Sequence, residues 1–594
     1  MQLIIYSETT AASIAQNIGK SEYSYYFVLE KYLPALQKLG DIVYVSDPAS
    51  EVDAIYDSAA ARGEKAVFLS FSPPHRTEQQ LRCPTICVLA WEFSSVPDES
   101  WDGDPRDNWV QSIRNIGNLL TLSQYSTDVI RSQVGGDLNI ATIPAPVTNA
   151  VRPGNELFRS RLKGARESPR SRQLSVSADI IDTFDLEISE DIVHPKNDSG
   201  AGIGGRNLKA WDGSPIDLGF DVTGSVNSGY RNLVGFHDPE EWGAWARSSR
   251  PWISLPALVA GDIELEIELI AFADNVARDV LITLGNQTRT VRLEQQLGNY
   301  SLSFSDVEQG ASLKFSNIEV GYTSGAELVR ALSIGVARLR MTRSDTGEDA
   351  SLAADNAVTG AASEFDESDV PKVLEFDGVV YTSIFNPEDG RKNWDDIVTA
   401  FCWAFRDQSD KTLILKFNCR TMSSTWGRLF LLFSRLSPFK CRIVVVHGFL
   451  SQLEMDALVE VSDYIVNASR AEGQCLPLLE FMAKGVPAVA PDHTAMSGYI
   501  NKRNAFIVES SLVATCFPHD PREYERTMFY RIDWSTLLQA FIDSAEVAQQ
   551  NPARYRKMAY HAAAVVSVFF SQSTVLRKLE TYLTSIDATG GQDQ

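Results

Sequence analysis

Short apolar runs alternate with amphipathic stretches over residues 1 to 148. LIIY (3–6), IVYV (42–45), AVFLSF (66–71), TICVLAW (85–91) and LLTLS (119–123) read as strands bounded by turn residues. Between the first two, SYYFVLEKYLPALQKLG places Tyr25, Phe27, Leu29, Leu33 and Leu36 at mostly helical spacing, and Gly40 is expected as the left-handed residue that closes the helix. Strands separated by helices predict a parallel sheet covered on both faces.

The rhythm then breaks twice. Residues 156–206 are rich in Ser, Gly and charge, with little apolar periodicity, and read as a linker. Gly200, Gly202 and Gly205 satisfy GxGxxG there, but without the preceding strand and following helix that a dinucleotide site needs. Over 207–343, strand runs follow one another with no helix between them. IELEIEL, with Ile263, Leu265, Ile267 and Leu269 set against acids, has the period of two of a half-buried strand. This region is expected to be an inserted β-sandwich. Residues 344–370 form an acidic second linker. From 371 the α/β pattern resumes with VVYTSIF, WDDIVTAFCWAF, TLILKFN, RIVVVHGF, SQLEMDALVEVS and DYIVNAS.

At 594 residues the chain exceeds one ordinary core. The division is therefore 1–155, a first Rossmann-like unit; the linker; the β domain; the acidic linker; 371–585, a second Rossmann-like unit; and a polar tail at 586–594. The closing helix, with Met558, Val565, Val566 and Phe569, is compatible with packing in the last unit or crossing to the first.

Charge narrows the function. A formal net charge of −23 disfavours nucleic acid, whose binding needs clustered Lys and Arg. The basic run from Arg159 to Arg172 is the exception, and leaves a peripheral contact with anionic lipid open. The amino terminus has no basic flank and apolar core of a leader, and no window is read as a membrane span, so a cytoplasmic setting is expected. Seven scattered cysteines suit reduced thiols, and the histidines show no ligand spacing, so neither a structural metal nor a cofactor is expected.

The candidate chemistry lies in ASRAEGQCLPLLEFMAKGVPAVAPD (468–492). A strand ends near Ser469, and a helix should begin near Leu476 with Pro477 in its first turn. The amides of Gly473, Gln474, Cys475 and Leu476 then stand at a helix N-terminus beyond the carboxyl end of a parallel strand, where an anion such as a diphosphate is favoured. Glu472 in the loop and Glu480 in the helix are placed to accept from hydroxyls. From spacing alone, a solvated loop acid and an ordinary helical glutamate fit equally well.

The ExxxxxxxE spacing of Glu472 and Glu480 resembles the signature of the retaining GT-B glycosyltransferases of family 4. FNPEDGRKNWDDIVTAF (385–401) and HGFLSQLEMDALVEVSDYIVNAS (447–469) resemble that family's diphosphate-contacting and base-binding segments. The resemblance implies a GT-B fold, two Rossmann-like domains facing a cleft, here with the β domain inserted. It implies Arg391 and Lys392 as the cations that stabilise the leaving diphosphate. It also implies Glu472 on the donor sugar, Glu480 on the ribose, and Gly448 and Phe449 along the base. The reaction implied is metal-independent transfer of a sugar, with retention, from a nucleotide-sugar donor to a glycan or lipid-linked glycan acceptor.

Where that family often carries a histidine, this chain reads VLAWEF, so Glu92 is the candidate acceptor contact, and His75 in SFSPPHR is a second. The family's paired glycines in the first loop are reduced to Gly19 followed by Lys20. GFHDPEEWGAWA, with Trp242 and Trp245, resembles carbohydrate-binding-like β domains, although tryptophans in strands more often pack in a core. The alternatives to a transferase are a non-catalytic glycan-binding scaffold and a GT-B phosphorylase.

Overall fold

The computed structural model describes residues 1–10, 13, 23–100, 103–136, 138–147, 172–188, 193–195, 210–221, 233–237, 240–323, 330–344, 372–419, 423–516 and 525–589. The glycines at 200, 202 and 205, the first-loop Gly19 and Lys20, the basic run short of Arg172, and 345–370 of the acidic linker lie outside them.

The amino-terminal unit is a six-stranded, all-parallel sheet in the order Asp41–Tyr44, Gln2–Ser7, Ala66–Phe71, Thr85–Leu89, Asn118–Thr121, Asn139–Thr142. Ala66–Phe71 is buried at every position, as a central strand covered on both faces must be. The helix Tyr23–Leu36 buries Tyr25, Val28, Leu29, Tyr32, Ala35 and Leu36. Gly40 corrects one expectation. Its φ is not in the left-handed region, and its role is close approach, because a Cβ there would stand 2.1 Å from the Met1 carbonyl oxygen.

The carboxy-terminal unit is a second Rossmann-like sheet. Its order is Ala505–Ile507, Ala488–Ala490, Tyr464–Val466, Val379–Phe385, Lys411–Phe417, Arg442–His447, with Asp179–Asp182 antiparallel at the edge. That last strand corrects the reading of 156–206 as a linker throughout. Arg172–Val176 pairs with Lys372–Phe376, burying Leu174 and Val176 against Leu374 and Phe376. Gln173 and Ser175 lie on the exposed face of a two-residue period, and only Leu174 and Val176 mark the other, so the stretch has little apolar signal. Arg172 itself pairs with Asp463 at 2.9 Å.

The inserted region is an antiparallel β domain, and its layers differ from those expected. Of its ten described strands, eight form one hydrogen-bonded sheet, and Gly321–Tyr322 pairs separately with Ala331–Leu332. The long strands Trp252–Ala271 and Gly298–Ser316 shift register between Ser254 and Ile263, as bulges that bend strands do. On one side of the shifts Gly298–Ser316 pairs with Asp279–Leu284, and on the other Trp252–Ala271 pairs with Ile334–Arg343. The folded-over halves enclose one core containing Ile282, Leu284, Phe315, Ile267, Leu269 and Leu339. Trp242 and Trp245 are half-buried and meet edge to face at 5.1 Å.

The closing segment splits between the units. Pro552–Phe569 packs Ala562 and Val566 in the carboxy-terminal core, and Gln572–Thr589 packs Val575, Leu579, Tyr582, Leu583 and Ile586 in the amino-terminal core. The tail therefore begins later than 586: the helix runs to Thr589, and 590–594 lie outside the described residues. Pro552–Ile586 also contains a window of mean hydropathy 1.2, long and apolar enough for a membrane span by composition, contrary to expectation. The segment divides into two helices, of which Pro552–Phe569 buries Met558, Ala559, Ala562, Ala563 and Val566, and Gln572–Thr589 buries Val575, Leu579 and Tyr582.

Candidate functional site

Two loops build the site, both at carboxyl ends of neighbouring parallel strands, Val379–Phe385 and Tyr464–Val466. After the first strand, the Asp389 carboxylate accepts from the Arg391 amide at 3.2 Å and starts a single 3-10 turn, Gly390–Lys392. Asn393 follows with φ +52° and leads into the helix Trp394–Phe405. The Arg470 amide donates to the Arg391 carbonyl at 2.8 Å and joins this loop to the second.

That junction brings Arg391 and Lys392 onto Glu472. Lys392 Nζ lies 2.6 Å from Glu472 Oε1, and Arg391 Nη1 lies 3.4 Å from Oε2. Arg391 also donates from Nη1 to the Ala471 carbonyl at 2.7 Å, and its Nε faces Asp389 at 3.0 Å and Glu92 of the amino-terminal unit at 3.2 Å. Asn467 donates to Glu472 Oε1 at 3.2 Å. Burial opposes charge on Glu472, but Lys392 and Arg391 outweigh it and hold the carboxyl at about 2, so the group is ionised. Burial pushes Glu92 upward, partly offset by Arg391. Burial works against the Lys392 ammonium, yet its carboxylate neighbours raise it overall.

Beside this cluster the helix Leu476–Ala483 begins at Cys475, whose φ of +63° is left-handed. Asn393, Cys475 and Thr494 are the three non-glycine residues with positive φ in the described part of the carboxy-terminal unit; Thr494 and Cys475 neighbour Glu472, and Asn393 follows Lys392 and accepts from Arg470. Thr494 Oγ1 accepts from the Glu472 amide at 3.1 Å. Strained backbone of this kind persists where surrounding contacts fix it. Among the described residues, the amides of Gly473, Gln474, Cys475 and Leu476 find no acceptor within the protein. They stand at the positive end of the helix dipole, next to two cations. Gly473 faces the other unit closely, since a Cβ there would be 3.4 Å from the Trp91 amide nitrogen and 3.5 Å from Glu92 Oε2.

The remaining candidates are placed differently. Glu480 forms an ion pair with Lys31 of the amino-terminal unit. The Gln474 side chain is a buried bridge, donating to the Ala145 carbonyl at 2.8 Å and accepting from the Ala145 amide at 2.9 Å. Cys475 Sγ receives the Asn467 amide, and burial beside Glu472 pushes its thiol up to about 12. Gly448 has φ +119°, and its carbonyl accepts from the buried Lys416 at 2.6 Å; Phe449 is exposed beside it. His75 is not brought into the Glu472 cluster. It stacks on Trp109 at 5.4 Å, and Trp109 in turn meets Trp91 at 4.7 Å. His493 bonds the Ser469 carbonyl and Ser510 and is pushed down to about 4 by burial.

Asp389, Asn467, Thr494, Lys31 and Tyr23 also border the site and were not singled out. The Asp-Gly step before Arg391 was a local turn signal for Asp389. Tyr23 and Lys31 come from the other unit, across hundreds of residues, with no local mark. Among the described residues no group of three or more His, Cys, Asp or Glu is placed to hold a metal ion.

Residues 432–517 match the family described as Glycosyl transferases group 1, so the second strand-loop-helix of the site lies in a glycosyltransferase group 1 domain. Residues 216–343, the β domain, match a domain of unknown function, DUF7024. No curated protein matches the chain. Among solved structures, a Staphylococcus aureus TarM G117R mutant in complex with fondaparinux, α-GlcNAc-glycerol and UDP is 12% identical. The match covers 34% of this chain and 35% of that one at a TM-score of 0.26. The pneumococcal O-GlcNAc transferase GtfA in complex with UDP and GlcNAc is 17% identical over 35% and 36%, at 0.26. Anabaena HepE in complex with UDP and glucose is 14% identical over 35% and 48%, at 0.26. The chain thus spans about a third to a half of the length of these proteins. The GT-B assignment stands on the two Rossmann-like sheets and the family match.

Proposed function

We propose that this chain is a retaining, metal-independent glycosyltransferase. It moves a hexose-type sugar from a nucleotide-sugar donor to a glycan or lipid-linked glycan, in surface polysaccharide or lipopolysaccharide assembly. The observation that carries the reading is the placement of Lys392 and Arg391 on Glu472, directly beside the four amides without protein acceptors. In this reading the donor diphosphate takes those amides and shares Lys392 and Arg391. As the bond from the anomeric carbon to the phosphate oxygen breaks, its electron pair passes to the diphosphate, and amides and cations stabilise the charge. Ionised Glu472 accepts from a hydroxyl of the donor sugar, and Glu480 from the ribose. Gly448 and Phe449 line the base.

Glu92, across the cleft and beside Arg391, receives the acceptor hydroxyl, which attacks on the leaving-group face and gives its proton to the departing diphosphate oxygen. His75 is a more remote acceptor contact, through Trp109 and Trp91. The setting is cytoplasmic, with peripheral contact at the inner membrane as part of the proposal. The test is a screen of nucleotide sugars by thermal stabilisation, followed by slow hydrolysis of the hit with the unaltered chain and with Glu472→Ala. Turnover lost in a folded variant supports the reading. Unchanged turnover sinks it, activity with free phosphate and no nucleotide sugar favours a phosphorylase, and glycan binding without turnover favours a scaffold.

A further inference from the structure

The helix Tyr23–Leu36 of the amino-terminal unit sets Tyr23, Phe27 and Lys31 at successive intervals of four, one stripe on its surface. All three are half-buried, whereas Tyr25, Val28, Leu29 and Tyr32 on the other side enter the core. The stripe is continuous, because the Tyr23 and Phe27 rings meet edge to face at 5.9 Å. One end reaches Glu480, and the other faces the charged cluster around Glu472 at electrostatic range. Lys31 pairs with Glu480. The Tyr23 phenol is pushed up by burial and lies within electrostatic reach of Lys392, Arg391, Asp389 and Glu472. Its hydroxyl bonds to no other described residue.

We propose that this stripe is the amino-terminal wall of the donor site, with Lys31 a phosphate-binding residue for a nucleoside diphosphate and Tyr23 a positioning residue at the sugar end. The inference rests on the function proposed above and adds to it residues outside the motifs of the carboxy-terminal unit. Glu480 is four residues into the helix from Leu476, about 6 Å along its axis from the free amides, so an ammonium held there is one turn from the anion cradle. A ribose that takes Glu480 releases Lys31 to the diphosphate. Donor binding then replaces one contact between the units with another through the ligand, and Phe27 keeps water from the middle of the wall.

The test is calorimetric titration of the full chain with UDP, GDP and ADP, and with the nucleoside of whichever binds, for the unaltered chain, Lys31→Met and Lys31→Arg. Lys31→Met is expected to weaken the diphosphate about tenfold or more, the loss of one charge-assisted bond, and to leave the nucleoside unchanged or tighter; Lys31→Arg retains most of the affinity. Tyr23→Phe is expected to lower kcat with diphosphate affinity unchanged. Equal diphosphate affinity in Lys31→Met, or equal weakening of nucleoside and diphosphate, overturns this inference while leaving the proposed function standing. Unchanged kcat in Tyr23→Phe overturns the role of Tyr23. An unaltered chain that binds none of the three diphosphates overturns the proposed function and this inference with it.

Discussion

Lys392 donates to Glu472 at 2.6 Å, and the carboxylate it holds is buried with Arg391 on its other oxygen. Ion pairs this deep cost desolvation and persist where the charge is used or tightly satisfied. Here the carboxylate also has Asn467, and the two cations sit next to free backbone donors.

The Glu472 carboxyl is held at about 2, below its ordinary 4.5, so its contribution to stability has a definite sign. The unfolded state binds the proton first. The contribution is full above the ordinary carboxylate range and is lost as pH falls from about 4.5 through 2, on the order of 3 kcal/mol over that window. Glu472→Gln is expected to be less stable at neutral pH and to show a flatter acid limb. Urea denaturation midpoints between pH 6 and 2.5 measure this, and parallel acid limbs would refute it.

Lys392→Met removes a cation from the proposed leaving-group site. Turnover is expected to fall on the order of 10²-fold, as for loss of one donor to developing charge. Steady-state hydrolysis of the donor reads this, and a fold check by circular dichroism separates it from unfolding, since loss of a charged hydrogen bond costs about 2 kcal/mol.

Gln474 ties the two Rossmann-like units through both polar groups of Ala145. Gln474→Leu leaves that amide and carbonyl buried without partners, which costs about 1–3 kcal/mol for each group. Thermal unfolding is expected at a lower midpoint, with the two units separating into distinct transitions. A single transition at the original midpoint would show that the bridge contributes nothing.

Much of the carboxy-terminal unit was legible locally. VVYTSIF became a strand over the same residues, and WDDIVTAFCWAF a helix over the same residues, because their periods agree with the burial that tertiary packing imposes. The helix start at Leu476 was legible from Pro477 and the loop before it. Arg172–Val176 was hidden, since only Leu174 and Val176 of its five residues face the core. The folding of the β domain into one bent sheet was hidden as well, because bulge positions depend on cross-strand register rather than composition. In the site, the order of Arg391, Lys392, Glu472 and Glu480 along the chain was visible. That Glu480 meets Lys31, and that Gln474 turns to Ala145 rather than toward the cleft, follows from contacts between units that no local pattern encodes.

The proposed reaction is retaining transfer from a nucleotide sugar at the Glu472–Lys392 site. Its most direct test is proton NMR of the product, formed by the full chain from the nucleotide sugar that stabilises it and a glycan acceptor. The product is expected to carry the anomeric configuration of the donor, and Glu472→Ala to form no product. An inverted configuration, or product formed equally well by Glu472→Ala, would contradict it.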